Sequence, residues 1–454
     1  MYSRRGFLKL SLASLGAVYF PLSDPFAQAA AGDIDPHFFF QFLIPGGMDP
    51  SYFFDARPLD MKAKGLMQNY LNADPTPWDA TGASTLATSL VDPLKAFKKN
   101  FSILNGVLMS PGFDGHDQNA NLLLAGDPFG GESFIPHLNN LGSQKTTPID
   151  AIQAGRIFSN ITNEAKSIPL DANAMVQLKS HLGAEKSSDL KSKSDAFINS
   201  RYNKISGGPG QFAQTTHDLQ FSFQGVPGLS EKLTNIKVDV DEQDPDIAFF
   251  KIAFDFFKQG VARSAIFTTS DISIDVHAPG DCKKVAESYA KIISKMTNLF
   301  KTMNTTPYDD KRSFMDVTTF MVASEFSRTM KQHNLDVDQT GTDHNTLNNS
   351  VLVGGKGIRC GQIIGSSDRA TASEKVSKAH ATMDTNAIKI MGRPFDFEKG
   401  ISRADLPDTF KPEDYLAIGS VVNTLYSQFG VSKDKYRVVA RNGATAPLVS
   451  TLLL

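Results

Sequence analysis

The chain has 454 residues, of which 41% are hydrophobic and 21% are charged, and its formal net charge is −2. This composition is typical of a folded globular protein and excludes an intrinsically disordered chain. The near-neutral charge argues against nucleic acid as a partner and against attachment to an anionic membrane surface.

The first 31 residues have the three parts of a cleavable export signal. Arg4 and Arg5 lie in a charged segment, an apolar run extends from Leu10 to about Leu22, and small residues follow up to Ala31. Paired arginines here are typical of the twin-arginine signal, and the run is shorter than the ~20 residues that span a bilayer. We predict the twin-arginine translocase as a partner during export, a periplasmic or secreted location, and no membrane span after cleavage.

Five short apolar segments in the remaining chain predict buried strands. Each is a nearly continuous apolar run that stops at glycine, proline or polar residues, which is typical of a parallel sheet covered on both faces. The predicted strands lie at 37–44, 101–107, 265–269, 317–323 and 350–353.

Amphipathic segments alternate with these strands. A helix that begins at Asp281 has a buried stripe from Val285 to Met303, and a final helix runs from Glu413 to about residue 429. Strands alternating with helices predict an α/β fold with a mainly parallel sheet flanked by helices. We predict a single domain over residues 32–454, with a polar, partly helical insertion or cap at about 160–245.

The two cysteines, Cys282 and Cys360, leave two possibilities open. An oxidising compartment would allow them to pair, but the sequence does not fix the distance between their Cα atoms. Their spacing matches no zinc-binding pattern. A disulfide and two free thiols therefore both stay open.

Three histidines stand beside carboxylates in the loops at the ends of predicted strands, namely His116, His277 and His344. Ligands of open parallel sheets bind beyond the carboxyl ends of the strands, so we expect these loops to meet. Each pair alone is more often an ordinary loop hydrogen bond, and only their recurrence favours a site. Together Asp and His suit Zn or Mn, and Ca or Mg where carboxylates dominate. Such an ion polarises an ester or activates water, and Arg328 can hold an anionic group.

The motifs around these residues resemble, in order and spacing, the twin-arginine-exported bacterial family called domain of unknown function 1501. The resemblance covers roughly residues 37–430. The matching segments are Gly46–Asp49, Gly115–Asn119, Asp275–His277, Ser324–Thr329, Gly341–Asn345 and the pair Gly354 and Gly355.

This family is placed in the alkaline-phosphatase and sulfatase-like superfamily. The resemblance therefore implies an alkaline-phosphatase-like fold, a divalent metal and cleavage of phosphate or sulfate esters, so that the substrate is a small anionic ester. By position it implies five metal ligands: Asp49, Asp275, His277, Asp343 and His344. It also implies that His116 and Glu325 are further residues of the catalytic site, beside Arg328.

One departure from the family pattern supports a second hypothesis. Gly115 stands where the family has a serine, near the position expected for the nucleophile of the superfamily. Glycine cannot act as a nucleophile, so either water attacks the ester directly or the chain is a non-catalytic binding or assembly protein with an envelope protein as its partner. An oxidoreductase has little support, because no Gly-x-Gly-x-x-Gly motif follows a predicted strand.

Overall fold

A computed structural model of the chain describes most of the predicted strands and both predicted helices. The described residues are 35–56, 76–78, 86–110, 112–129, 135, 138, 147, 151–155, 167–169, 232, 235–236, 242–269, 271–277, 282–329, 342–369, 390–405, 410–430 and 444–454. The predicted export signal and nearly all of the predicted insertion at about 160–245 lie outside these residues and stay predictions. None of the helices in the described ranges has the length and apolar character that crossing a membrane requires.

The strands and helices of the described ranges have the following bounds. The strands are β1 (Phe38–Leu43), β2 (Thr76–Pro77), β3 (Leu86–Ala87), β4 (Phe101–Asn105), β5 (Ala151–Ala154), β6 (Ser167–Pro169), β7 (Ser264–Thr268), β8 (Thr318–Ala323), β9 (Ser327–Arg328), β10 (His344–Asn345), β11 (Ser350–Gly355), β12 (Ile363–Ile364), β13 (Ser367–Arg369), β14 (Ile390–Gly392), β15 (Phe395–Asp396) and β16 (Ile401–Ser402). The α-helices are α1 (His116–Ala125), α2 (Pro245–Lys258), α3 (Cys282–Thr305), α4 (Phe314–Val317) and α5 (Ile418–Ser427). Short 3-10 helices lie at Pro50–Tyr52, Ser89–Phe97, Pro412–Asp414 and Ser450–Leu452.

The chain divides into two compact units. The smaller unit contains Met1–Ile34, Lys145–Ile149 and Leu170–Ala262, and the larger contains Asp35–Gln144, Asp150–Pro169 and Arg263–Leu454. In the smaller unit, Pro245 occupies the first turn of α2 and the Asp244 side chain accepts hydrogen bonds from two backbone amides, which caps the helix. The sequence predicted one domain over 32–454, and residues 170–245 of the smaller unit overlap the predicted insertion.

An eight-stranded sheet forms the centre of the larger unit, in the order β12-β4-β11-β8-β1-β7-β5-β6. β1 pairs in parallel with β7 and β8, and the pairs β5–β7, β5–β6 and β4–β12 are also parallel. All five strands predicted from the sequence are present in this sheet. The predicted α/β fold with a mainly parallel sheet is therefore confirmed.

β11 is the exception, because it is antiparallel to both of its neighbours, β4 and β8. The sequence predicted it as one more strand of a parallel sheet. After β8 the chain forms β9, and β9 pairs in antiparallel fashion with β10 shortly before β11. The chain thus returns to the edge of the sheet that it has just left, and β11 must run in the opposite direction.

Helices cover both faces of this sheet, which explains why its long strands are mostly apolar and are buried on both sides. On one face Phe39 packs edge-on against Tyr426 of α5, at 5.5 Å between ring centroids, and the α1 leucines join the same core cluster. On the other face Phe320 of β8 contacts Phe300 of α3, at 5.0 Å between ring centroids.

The predicted helix with the buried stripe from Val285 to Met303 is α3, whereas Asp281 lies outside the described residues.

The predicted final helix starts five residues too early. Leu108 forms a bridge with Ala417, donates to the Leu416 carbonyl at 2.8 Å and accepts from the Ile418 amide at 2.8 Å. This pairing holds residues 415–417 in an extended conformation, so α5 begins only at Ile418.

Cys360 has a free thiol in the structure, and the side chain of Cys282 lies outside the described residues, so the predicted alternatives for the pair stay predictions. The Cys360 Sγ lies 3.1 Å from the carbonyl oxygen of Asn100. Burial raises the pKa of the Cys360 thiol, so this side chain behaves as a small buried polar group rather than a reactive thiolate.

Phe39 provides a test of the helix-covered face. Its side chain is fully buried between the sheet and α5. We expect Phe39→Ala to lower the free energy of unfolding by about 3–5 kcal/mol, because it removes a buried ring and leaves a cavity. Urea denaturation would measure the change. Phe129→Ala is the matched control, since Phe129 is 75% exposed, and its effect should stay within about 0.5 kcal/mol. Equal losses in the two variants would contradict this view of the core.

Candidate metal centre

The loops that follow three adjacent parallel strands meet at one edge of the sheet. These loops begin after β1, β7 and β8, the strands that lie side by side in the order β8-β1-β7. Two further segments reach the same place: the turn before α1 and the strand β10. Carboxyl ends of neighbouring parallel strands are the usual position for a ligand site in such a fold.

Four side chains from these segments form a cluster whose composition suits a metal ion. His116, Asp275, His277 and His344 each offer one ligand atom, and these atoms all lie within 4.8 Å of one another. His277 Nε2 lies 3.0 Å from His344 Nε2 and 2.9 Å from Asp275 Oδ1. His116 Nε2 lies 3.4 Å from Asp275 Oδ2.

His116 is the first residue of α1, and its ring is oriented by a buried carboxylate. Its Nδ1 lies 2.6 Å from Glu325 Oε1, and Glu325 is only 2% exposed. An ionised carboxylate only accepts hydrogen bonds, so Nδ1 carries the proton and Nε2 carries a lone pair. This Nε2 is buried and, within the described part of the chain, forms no hydrogen bond. A buried lone pair without a donor is suited to a metal ligand.

His344 has a similar orientation, with a backbone carbonyl in place of the carboxylate. β10 pairs with β9, which places His344 opposite Arg328. Its Nδ1 lies 2.5 Å from the Asp114 carbonyl oxygen, which can only accept, so Nδ1 is the donor. Burial lowers the pKa of His344, and the positive charge of Arg328 lowers it further. A neutral His344 therefore directs the lone pair of Nε2 at the centre of the cluster.

His277 completes the set of imidazoles. Its Nδ1 faces Asp343 Oδ1 at 3.7 Å, and its Nε2 points at His344 Nε2 and Asp275. Two imidazole nitrogens 3.0 Å apart repel each other unless a proton or a cation lies between them. All three rings thus turn Nε2 toward the same space, and those of His116 and His344 also have an oxygen acceptor at Nδ1.

The buried guanidinium of Arg328 stabilises the negative charge of Asp275 in the cluster. Its Nη2 donates to Asp275 Oδ1 and, at 2.6 Å, to the Gly46 carbonyl, to which Nε donates as well at 2.9 Å. Its Nη1 lies 3.2 Å from His277 Nε2. Burial raises the pKa of Asp275, but the charge and the hydrogen bond of Arg328 outweigh burial and hold that pKa below its usual range.

Gly46 and Gly47 allow the loop after β1 to lie against these residues. Both adopt positive φ angles, 110° and 78°. A Cβ at Gly47 would lie 2.6 Å from the Phe326 ring and 2.9 Å from Arg328 Nε. The Gly46 amide donates to Glu325 Oε1 at 2.7 Å. Glycine is needed here because the backbone itself supplies the hydrogen-bonding groups at close range.

Of the residues predicted from the sequence, the structure brings six together: His116, Asp275, His277, Glu325, Arg328 and His344. Asp49 lies outside the four-residue cluster, since its Oδ1 accepts from the Ser51 amide at 2.9 Å and caps the short helix at Pro50–Tyr52. Asp343 lies behind His277 and accepts from the His344 amide at 2.8 Å. Their predicted roles as metal ligands stay predictions.

The residue pattern named His116 among three candidate histidines, whereas the family resemblance placed it in the catalytic site and not among the metal ligands. The sequence did not indicate the part played by the Asp114 carbonyl or by Ser324. The Ser324 hydroxyl donates to Glu325 Oε2 at 2.9 Å and accepts from the Met48 amide at 2.9 Å. Residue type gives no signal for a backbone carbonyl. For His116 the signal was its position at the start of a helix that follows a strand end.

The donor set fits a divalent transition metal. Three imidazole nitrogens and one carboxylate oxygen match the ligands and the number of a four-coordinate zinc site, and they also suit manganese. Calcium and magnesium prefer sites made of oxygen atoms. The oxygen acceptors at Nδ1 are the outer partners that metal-binding histidines usually have.

Comparison with known proteins gives limited matches. A family described as protein of unknown function (DUF1501) matches residues 309–391, a range that includes Glu325, Arg328 and His344. A mutant of TAB5 alkaline phosphatase with magnesium bound in its M3 site aligns over 72% of this chain and 94% of its own, with 11% identity and a TM-score of 0.32. At that level no property of the enzyme is transferred to this chain. Among curated proteins, none matches.

Asp49 leads to a prediction about pH. Burial raises the pKa of Asp49 to about 7, whereas an Asp in an unfolded chain titrates near 3.9. Between those values the unfolded state has lost the proton and the folded state keeps it, so stability falls as the pH rises. Asp49→Asn keeps the acceptor for Ser51 and has no charge to bury. We expect it to be more stable than the parent by up to about 4 kcal/mol at pH 8, and by only about 1 kcal/mol at pH 4.5.

Urea denaturation in EDTA at the two pH values would measure this difference without interference from metal. Asp92→Asn is the control, because it makes the same substitution at an exposed carboxylate beside Lys95. A stability difference between Asp49→Asn and the parent that is the same at both pH values would show that Asp49 is ionised in the folded protein.

Proposed function

We propose that this chain is an exported, metal-dependent hydrolase of phosphate or sulfate esters. The observation that carries the proposal is the convergence of three imidazole nitrogens and one carboxylate oxygen within 4.8 Å. The Nδ1 atoms of His116 and His344 are held by Glu325 and by the Asp114 carbonyl. Such an arrangement is characteristic of metal sites, because the outer partners fix the ring orientation and the tautomer.

His116, Asp275, His277 and His344 would hold the ion, and the nitrogen-rich set favours Zn²⁺ or Mn²⁺ over Ca²⁺ and Mg²⁺. Arg328 supplies a second, fixed positive charge next to Asp275. With that charge already present, we propose that the centre takes one ion per chain. A bound ion would polarise the ester and neutralise the negative charge that develops on it.

The exposed side of the cluster is where an anionic ester can approach. The Asp275 and His277 side chains are 42% and 47% exposed. The attacking group would be water, since Gly115 has no side chain and the Ser324 hydroxyl is buried against Glu325. The water oxygen forms a bond to phosphorus or sulfur and loses a proton, the bond to the ester oxygen breaks, and the leaving oxygen takes up one proton, so that the step balances.

Export through the twin-arginine translocase is part of the proposal and depends on the signal around Arg4 and Arg5. The signal peptide would be removed, and the mature chain would act in the periplasm or outside the cell. A route that carries folded proteins suits a metal protein, because the ion can be bound before export.

A second candidate function is that of a non-catalytic binding or assembly protein of the bacterial envelope on the same fold. Two observations favour it. Gly115 leaves the start of α1 without a nucleophile, and the Arg328 guanidinium is fully buried, with two of its three nitrogens bonded to Gly46 and Asp275. In that case the metal would be structural, and the partner would be an envelope protein.

Metal content tests the composition of the centre. We expect His344→Ala and Asp275→Asn to lower the affinity for Zn²⁺ at least about 100-fold, because each removes a ligand. Asp343→Asn should lose no more than about tenfold, since 3.7 Å between Asp343 and His277 is beyond hydrogen-bonding distance. Elemental analysis of metal per chain, followed by competition with a chelator, would measure the affinities. If Asp343→Asn lost as much affinity as His344→Ala, Asp343 would be a ligand and the four-residue centre would be wrong.

Hydrolysis distinguishes the two candidate functions. We expect the mature protein loaded with Zn²⁺ or Mn²⁺ to hydrolyse at least one member of a panel of phosphate and sulfate monoesters, and His344→Ala to lower kcat/KM at least about 100-fold. Circular dichroism would show that the variant is folded. Turnover that survives complete removal of metal would exclude the proposed reaction. A fully loaded protein that cleaves no ester and instead captures an envelope protein would support the assembly role.

A further inference from the structure

The loop after β7 supplies two of the four members of the metal cluster, Asp275 and His277, and is held by few polar contacts. Within the described ranges, one backbone-to-backbone hydrogen bond reaches residues 274–277, in which the Thr342 amide donates to the Val276 carbonyl at 2.8 Å. A buried guanidinium that contacts the two ligand side chains is another anchor. Because the loop has so few anchors, the position of its two ligands depends strongly on each of them.

Thr342 bonds to the carbonyl of this loop twice. Besides the amide, the Thr342 Oγ1 donates to the Val276 carbonyl oxygen at 3.1 Å. A carbonyl oxygen has two lone pairs, and one residue therefore supplies a donor for each of them. Val276 is only 7% exposed, so water has little access to a lone pair that loses its donor. The hydroxyl thus adds a directional constraint that the backbone contact alone does not give.

The residues that follow Thr342 are fixed to β9. The Thr329 amide donates to the Asp343 carbonyl at 2.8 Å, and the Thr329 Oγ1 accepts from the Asp343 amide at 2.8 Å. Thr329 itself is buried. The next residue, His344, lies in β10 and pairs with Arg328 of β9. Thr342 therefore connects a firmly held hairpin, which carries one imidazole of the cluster, to the loop that carries another.

We propose that Thr342 is a positioning residue of the metal centre, whose hydroxyl fixes the loop after β7 against β10. It acts through the Val276 carbonyl and holds His277 and His344 together, with 3.0 Å between their Nε2 atoms. Ligands that are held in place before an ion binds lose less entropy when it binds, so they bind it more tightly. The inference rests on the proposed metal-dependent function and adds to it a residue that sets the metal affinity.

Two substitutions at Thr342 separate the hydroxyl from the rest of the side chain. Thr342→Val keeps the branched shape and removes the hydroxyl, whereas Thr342→Ser keeps the hydroxyl. We expect Thr342→Val to bind Zn²⁺ about tenfold more weakly than the parent, and Thr342→Ser to stay within about twofold of it. Competition with a chelator would measure both affinities. Thr297→Val is the matched control, because the half-buried Thr297 donates to the Ile293 carbonyl at 2.7 Å within α3, and it should bind Zn²⁺ as the parent does.

Two further measurements distinguish positioning from a general loss of structure. The visible absorption of bound Co²⁺ depends on the arrangement of its ligands, so we expect the spectrum to change in Thr342→Val and to return in Thr342→Ser. Urea denaturation in EDTA should show similar losses of stability in Thr342→Val and Thr297→Val, because each loses one hydroxyl bonded to a backbone carbonyl. A loss of Zn²⁺ affinity confined to Thr342→Val then reports on the metal centre.

The results decide the inference separately from the proposed function. Parental Zn²⁺ affinity in Thr342→Val, or an equal loss in Thr342→Ser, would overturn the positioning role and leave the hydrolase proposal intact. A parent protein that binds Zn²⁺ and cleaves no ester, with the tenfold loss in Thr342→Val, would support the positioning role and count against hydrolysis. A parent protein that binds neither Zn²⁺ nor Co²⁺ would overturn both.

Discussion

The buried carboxylate of Glu325 is the constraint on which the rest of the site depends. Only 2% of the residue is exposed, and a carboxylate in such a place is costly unless donors surround it. The donors come from three separate segments: the Gly46 amide after β1, the His116 ring at the start of α1, and the Ser324 hydroxyl after β8. Satisfying one charge therefore fixes the mutual positions of three segments that are far apart in the chain.

Arg328 plays the complementary electrostatic part. Its guanidinium binds the Gly46 carbonyl, so the same glycine contacts Glu325 through its amide and Arg328 through its carbonyl. The remaining contacts of Arg328 reach Asp275 and His277, and they keep the Asp275 carboxylate ionised at the place where a cation would bind. One buried acid thus positions a histidine and one buried base positions an aspartate.

The arrangement of the three imidazoles follows from this framework. Glu325 and the Asp114 carbonyl orient the rings of His116 and His344 through Nδ1, so the Nε2 atoms of these rings and of His277 face one space. The Nε2 atoms of His277 and His344 lie 3.0 Å apart, so one proton or one cation between them would join the two rings. An ion bound there would stabilise the native state by mass action.

The sequence by itself determined the buried strands, the α/β class and the segments that carry the site, because apolar runs and polar strand ends are local properties. Only the tertiary structure decided the direction of β11 and the start of α5, since both depend on pairing with distant segments such as Leu108. It also decided that His116 joins the cluster while Asp49 caps a short helix. Which side chains meet depends on hydrogen bonds to Glu325 and to the Asp114 carbonyl, and no spacing along the chain encodes those partners.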